Sequence, residues 1–183
     1  MERLEPPGLT RVMAKTDLRR RAVTGWATTA LVGAVITNGL AAGLFAAFSY
    51  AVMPGLGRTG DRTFVEAMRQ MNAAILNGWF GVCFGGAVLF AAAAVLLHLG
   101  RPGLAWIVAG LVLYVAVLVV TFRVNVPLND ALAAAGDGDP AAARAAFEGA
   151  WVRWNVVRAV LSTAAFGCLV GALAVGRSVG RAG

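Results

Sequence analysis

The sequence predicts an all-α fold, a four-span transmembrane helical bundle with amphipathic outer segments and a long last helix. Three observations carry that prediction. The 183 residues are 59% hydrophobic and only 14% charged, whereas a soluble domain carries about 25% charged residues. The charges are also segregated, with none between Arg21 and Arg58, Arg69 and Arg101, Arg101 and Arg123, or Arg158 and Arg177. Each gap can hold the roughly 20 apolar residues that a spanning helix needs. Finally, the stretch from Asp139 opens as a helix, with Asp139 as N-cap and Pro140 at the first helical position, and nothing breaks it until about Gly176.

The expected spans are roughly 24–52, 78–98, 103–122 and 158–176, within a transmembrane domain of 22–178 flanked by tails at 1–21 and 179–183. Residues 1–16 hold two adjacent prolines and mixed charges and read as a loose tail. The first apolar run is too long for a signal-peptide core of about 7–15 residues, so it reads as an uncleaved anchor. A net charge of +7 would suggest nucleic acid for a soluble protein. Here six of the sixteen basic residues precede the first span and end in Arg19-Arg20-Arg21, which marks a cytoplasmic flank rather than a nucleic-acid surface. The expected setting is the cell membrane, multi-pass, with both termini cytoplasmic.

The first span carries Asn38, with Phe45 and Ser49 on about the same face two and three turns on. Its Gly39/Gly43 pair is a GxxxG, repeated at Gly81/Gly85 and Gly167/Gly171, a spacing that lets helix backbones approach in lipid. Met53-Pro54-Gly55 is expected to end the helix. Thr63-x-x-Glu66 has capping-box form and should open an amphipathic segment with Phe64, Met68, Met71 and Ile75 on one face. The second span runs from Trp79, an interfacial anchor, to His98. The third is nearly featureless until the polar knot Arg123-Val-Asn125-Val-Pro127-Leu-Asn129-Asp130. Span, proline turn, amphipathic outer segment and span recur twice, a faint two-fold repeat. In the last helix Arg144, Glu148, Trp151, Asn155, Arg158 and Ser162 share one face, with Trp154 beside them.

Metal chemistry is disfavoured by the residues available. His98 is the single histidine and sits at the end of the bundle opposite the polar cluster, where it reads as an interfacial side chain. Cys83 and Cys168 lie at different depths, so no disulfide is expected. Zinc, copper and haem sites need several such ligands brought together, which leaves open only a carboxylate site using Asp130 or Glu148. Proton-coupled export would require a carboxylate inside a span, and every carboxylate falls in a tail or outer segment.

What remains is an outer cluster of Arg69, Asn72 and Asn77, then Arg123, Asn125, Asn129 and Asp130, then Trp151, Arg153, Trp154, Asn155 and Arg158. These residues suit helix caps, ion pairs and interfacial anchors. They equally suit a flat, oxygenated aromatic ligand, stacked on indole and hydrogen-bonded through its oxygens.

TNGLAAGLFAAFSYAVMPGLG, DRTFVEAMRQMNAAILNGWF, FRVNVPLNDALA and DPAAARAAFEGAWVRWNVVRAV resemble the anthrone oxygenase-like family of small membrane proteins. The resemblance runs from about Ala30 to Ala174, most specifically in N-x-P-L-N-D and W-x-x-W-N-x-x-R. It implies a four-helix membrane bundle and, in characterised members, oxidation of an anthrone to an anthraquinone by O₂. On that reading no cofactor is needed, because an anthrone enolate reacts with O₂ directly. Arg158 and Arg123 would hold the oxyanion, Asn155 and Asn125 would orient it, and Asp130 or Glu148 would act as base. Trp151, Trp154, Asn38, Asn77 and Asn129 would contact the substrate. Arg158 itself is expected to find a partner in the 123–130 knot or in Asn38, and Arg144 to matter much less. The competing reading is a non-enzymatic membrane protein that binds a small molecule or packs against a partner.

Overall fold

The computed structural model describes the backbone of residues 7–136 and 138–181, and side-chain surroundings between 22 and 176 except at 137. It is all helix: α1 Pro7–Ala47, α2 Met53–Leu56, α3 Asp61–Ala74, α4 Gly78–Leu97, α5 Leu104–Val120, α6 Val126–Ala134 and α7 Pro140–Arg181. Four segments are long and apolar enough to cross a membrane: Ala22–Leu56, Gly78–Leu97, Leu104–Ala134 and Pro140–Gly176. This is a multi-pass membrane protein. α4, with 20 residues, matches a hydrocarbon core of about 30 Å at 1.5 Å per residue. α1 and α7, with 41 and 42 residues, are twice that long and project beyond it.

α1 packs on α4 and α7, and α5 packs on α4 and α7, so the four spans form a ring of antiparallel neighbours. The core is layered along the bundle. Near the Gly100–Gly103 turn it is mostly alanine with Leu31, Ile107 and Leu169. In the middle Phe45, Phe84, Tyr114 and Val117 fill it, and the Tyr114 hydroxyl donates to the Phe84 carbonyl at 3.0 Å. At the other end, here termed the loop end, Met53, Phe64, Met68, Leu132, Phe147 and Trp151 join the short helices to α7.

Several local expectations change. α1 already begins at Pro7 and runs continuously into the first span, so residues from 7 onward are helical rather than a loose tail; residues 1–6 lie outside the described residues, as do the side chains of Arg19, Arg20, Arg21 and Arg177. Met53-Pro54-Gly55 does not end the first helix. A π turn, Phe48–Val52, carries the chain through Pro54 into α2, with the Met53 N–H donating to the Phe48 carbonyl. A second π turn, Thr121–Asn125, stands in the same relation to Pro127. A proline in an α-helix clashes with the carbonyl four residues back. Those carbonyls belong to Tyr50 and Arg123, each in the middle of a π turn whose wider pitch accommodates the ring. The two-fold repeat is therefore structural: both odd-numbered spans end in a five-residue π turn with proline two residues beyond it.

The expected Thr63–Glu66 capping box is not used. α3 starts two residues earlier at Asp61 behind Gly60, and Glu66 pairs with Arg62 at 3.0 Å. Its amphipathic face is as expected, with Phe64 and Met68 fully buried. Of the GxxxG glycines, a β-carbon at Gly43, Gly81, Gly85 or Gly167 would meet nothing within 4 Å, whereas Gly39 lies tightly against Phe166 and Gly171 against Trp106. Comparably tight approaches occur at Gly33 against Phe90 and Gly110 against Leu169. Gly103 caps α5 at φ 87°, where it also lies against the Ala172 backbone, so a side chain there would be both strained and crowded.

Candidate functional site

α7 supplies the backbone of the site. Asp139 caps it as expected, its carboxylate accepting from the Ala141 and Ala142 N–H groups at 3.0 and 3.1 Å. The predicted stripe faces inward along the whole loop-end half, with Trp151, Asn155, Arg158 and Ser162 all buried. Its upper part is a clamp. Arg144 pairs with Glu148 at 2.6 Å and Asp61 at 3.0 Å, donates to the Thr59 and Gly57 carbonyls, and lies over the Phe64 ring. Arg144 thus ties the α2–α3 loop to α7. Arg69 makes a second tie, donating to the Leu132 and Gly136 carbonyls and so fastening α3 to the end of α6.

Below these ties lies a cavity of about 270 Å³, near the lower end of the roughly 300–1,000 Å³ of small-molecule sites. α1 contributes Leu44 and Phe45, and the first π turn contributes Phe48. α3 contributes Asn72 and its C-terminal cap Ile75, the second π turn Thr121 and Asn125, and α6 Asn129 and Asp130. α7 closes it with Trp151, Asn155 and Arg158. Most of the wall is apolar, and Asn155 and Arg158 on α7 join Thr121 and Asn125 as its buried polar residues.

Arg158 is the centre of the polar part. It is only 6% exposed, and its partners are not the predicted ones. Nη2 donates to Asn155 Oδ1 at 2.9 Å and Nη1 to Thr121 Oγ1 at 3.5 Å, while the guanidinium lies 4.5 Å from the Phe45 ring centroid and 5.5 Å from that of Trp151. Among the described residues no carboxylate pairs with it, and Nε has no partner. No residue of the 123–130 knot hydrogen-bonds the guanidinium; Thr121, just ahead of it, does so instead. Asn155 is held firmly, its Nδ2 donating to the Phe45 carbonyl at 3.0 Å and to Ser49 Oγ at 2.9 Å. Asn125 Nδ2 donates to the Trp151 carbonyl at 3.4 Å, which leaves its buried Oδ1 unpartnered. Trp151 Nε1 donates to Asn129 Oδ1 at 2.8 Å, and its indole rests between Phe48 and Phe147.

Six of the ten residues singled out by sequence thus border the cavity: Arg158, Asn155, Asn125, Asp130, Trp151 and Asn129. Four do not. Arg123 is exposed, turned outward by the π turn that buries Asn125. Trp154 is half-buried beside the stripe and outside the cavity wall. Asn77 caps α4, accepting from the Phe80 N–H at 3.0 Å and donating to the Ala74 carbonyl at 2.8 Å. Asn38 lies two turns further down α1, fully buried, with neither amide atom partnered and no part in the cavity wall. Glu148 is committed to Arg144, so Asp130 alone of the two carboxylates borders the cavity.

Sequence reasoning passed over Thr121, Phe48, Ile75 and Phe80. A signal existed for Thr121: it stands four residues before Asn125, at helical spacing. Among the described residues no three His, Cys, Asp or Glu side chains come together as a metal site, and both cysteines are free thiols.

The sequence model of the anthrone oxygenase family matches residues 77–168, half of the chain. The chain belongs to the anthrone oxygenase family. The match starts at the cap of α4 and ends in α7, so it takes in Asn125, Asp130, Trp151, Asn155 and Arg158 together. No curated protein and no solved structure matches the chain.

Proposed function

We propose that this protein oxidises an enolisable aromatic polyketide of the anthrone type with O₂, and that the cavity between α1, α3, α6 and α7 is where it does so. The observation that carries the reading is Arg158, a buried guanidinium in the cavity wall with no counter-ion among the described residues and an unpartnered Nε. A lone charge of this kind costs about 2.5–3.5 kcal/mol to insert in a membrane. An anionic ligand would offset that cost, and family membership names one: an anthrone that loses a methylene proton becomes an enolate with its charge on oxygen.

The chain's residues suit that chemistry. Arg158, oriented by Asn155, would bind the enolate oxygen and favour it over the neutral ketone. Asn125 Oδ1 is free to accept from a ligand hydroxyl, and the Trp151 and Phe48 rings would lie along the aromatic system. Asp130, which lines the cavity, would take the methylene proton. The enolate carbon would then add O₂, and the resulting hydroperoxide would lose water to give the quinone. One oxygen atom stays on carbon and the other leaves as water, so the electrons balance with substrate and O₂ alone and no metal or flavin is required.

The test is oxygen consumption by purified protein with a panel of anthrones and related hydroxyaromatics. Turnover that falls about 10²–10³-fold in Arg158→Ala, the range for loss of one oxyanion donor, supports the reading. Tight ligand binding without oxygen uptake would favour a non-enzymatic binding protein. Dependence of turnover on a stoichiometric metal would overturn the cofactor-free chemistry.

A further inference from the structure

A second depression adjoins the cavity. It is a groove of about 300 Å³ between α1 and the start of α4, lined by Leu40, Leu44, Ile75, Trp79, Phe80 and Cys83 among others. Three of its residues, Leu44, Ile75 and Phe80, also line the cavity. The two spaces are therefore separated by a single layer of side chains. We propose that this groove is the entrance through which an uncharged aromatic substrate passes from the bilayer into the cavity, with Phe80 as its gate. The proposal rests on the cavity being the ligand site argued above, and adds the route by which the ligand arrives.

Three features of the groove support it. First, it opens sideways. Leu40 is 55% exposed and Trp79 79% exposed, and both belong to spans, so their outward faces meet lipid; Trp79 stands in the first turn of α4, at the level where aromatic side chains mark the interface. Second, it is apolar throughout. Its one amide, Asn77, has both ends of the side chain committed to the α3–α4 turn, and no charged residue lines it. The face of the cavity towards the loops instead carries Arg69, Asn72 and Asp130. A neutral ring system that partitions into the bilayer would meet a mostly apolar groove on its way to Arg158 and Asn155. Third, the dividing layer has no polar lock. Leu44, Ile75 and Phe80 have no side-chain hydrogen-bonding groups, and Phe80 is held by stacking on Phe84 at 4.9 Å between centroids. It is half-buried and sits in the first turn of α4, where the chain has just left the α3–α4 turn, so a change of rotamer joins groove to cavity.

The decisive signature is kinetic, because an entrance alters rates of arrival and departure without altering the equilibrium. Full-length protein in vesicles would be mixed with a neutral anthraquinone, and quenching of tryptophan fluorescence followed by stopped flow. Cys83→Phe fills the groove and Leu40→Phe narrows its exposed rim, the latter at a site facing lipid where folding is tolerant. Both should slow association and dissociation together, by about tenfold for Cys83→Phe, with Kd unchanged; Phe80→Ala should speed both. If the groove variants leave the rates unchanged while Ala133→Phe, at the cavity edge facing the loops, slows them, the ligand enters from water and the proposal is overturned. Normal binding with unaltered rates overturns the entrance alone, whereas absence of any binding by the wild-type protein overturns the cavity reading with it.

Discussion

Arg158 and Asn155 form a buried pair whose two halves should respond oppositely to removal. In Arg158→Met, an insertion cost of about 2.5–3.5 kcal/mol disappears. Against that, Asn155 Oδ1 loses its 2.9 Å donor, a cost of about 1–3 kcal/mol for a stranded acceptor. The contact with the Phe45 ring is lost as well, worth about 2 kcal/mol when desolvated. The opposing sums nearly cancel, so Arg158→Met should fold with stability within about 2 kcal/mol of wild type. Asn155→Leu is different. It keeps the charge and removes its best acceptor, leaving only Thr121 at 3.5 Å; the Phe45 carbonyl still receives the Ser49 hydroxyl at 3.0 Å. The expected loss is about 2–4 kcal/mol, since a hydrogen bond to a charged group is forfeited and the charge stays buried. Adding Arg158→Met to Asn155→Leu should recover most of it, a coupling of at least about 1.5 kcal/mol. Thermal or denaturant unfolding in micelles of all four proteins measures the cycle. If Arg158→Met is more destabilising than Asn155→Leu, the arginine is a structural pillar and the argument that it awaits an anion fails.

Two further outcomes follow from the geometry. Arg144→Ala should lower Tm and increase proteolysis of the 57–61 loop, because four separate acceptors lose the same guanidinium; ligand affinity should change less than Tm does. For orientation, the Arg19-Arg20-Arg21 cluster ahead of the first span argues for cytoplasmic termini. Cysteines placed at the exposed Gly60 and Gly138 should then react with an impermeant maleimide in intact cells, and labelling only after lysis would reverse the topology.

The spans were legible because charge is expensive in lipid, and its absence over four intervals is visible without any structure. The inward stripe on α7 was legible for a similar reason: a 3.6-residue period fixes which residues share a face. The π turns were not, because they depend on a single shift in hydrogen-bond register that composition does not record. Pro54 and Pro127 marked the places but read as helix ends. That one misreading explains two others, since the turn at Thr121–Asn125 buries Asn125, exposes Arg123 and brings Thr121 to Arg158. The ties made by Arg144 were not legible because its acceptors include backbone carbonyls of Gly57 and Thr59, more than eighty residues away in sequence. Asn38 was expected at the site from the family resemblance, and it lies in the core outside the cavity wall, two turns away.

The central claim is that Arg158 favours a bound oxyanion, and a titration tests it without any turnover. A hydroxyanthraquinone changes colour when its phenol ionises and is not consumed by O₂, so its absorbance against pH reports which form the cavity holds. Bound to the wild-type protein it should ionise about two units lower than in a neutral bilayer, roughly 2.7 kcal/mol in favour of the anion. Bound to Arg158→Met that shift should vanish. A bound probe that ionises at higher pH in the wild-type protein, or equally in both, would contradict the account.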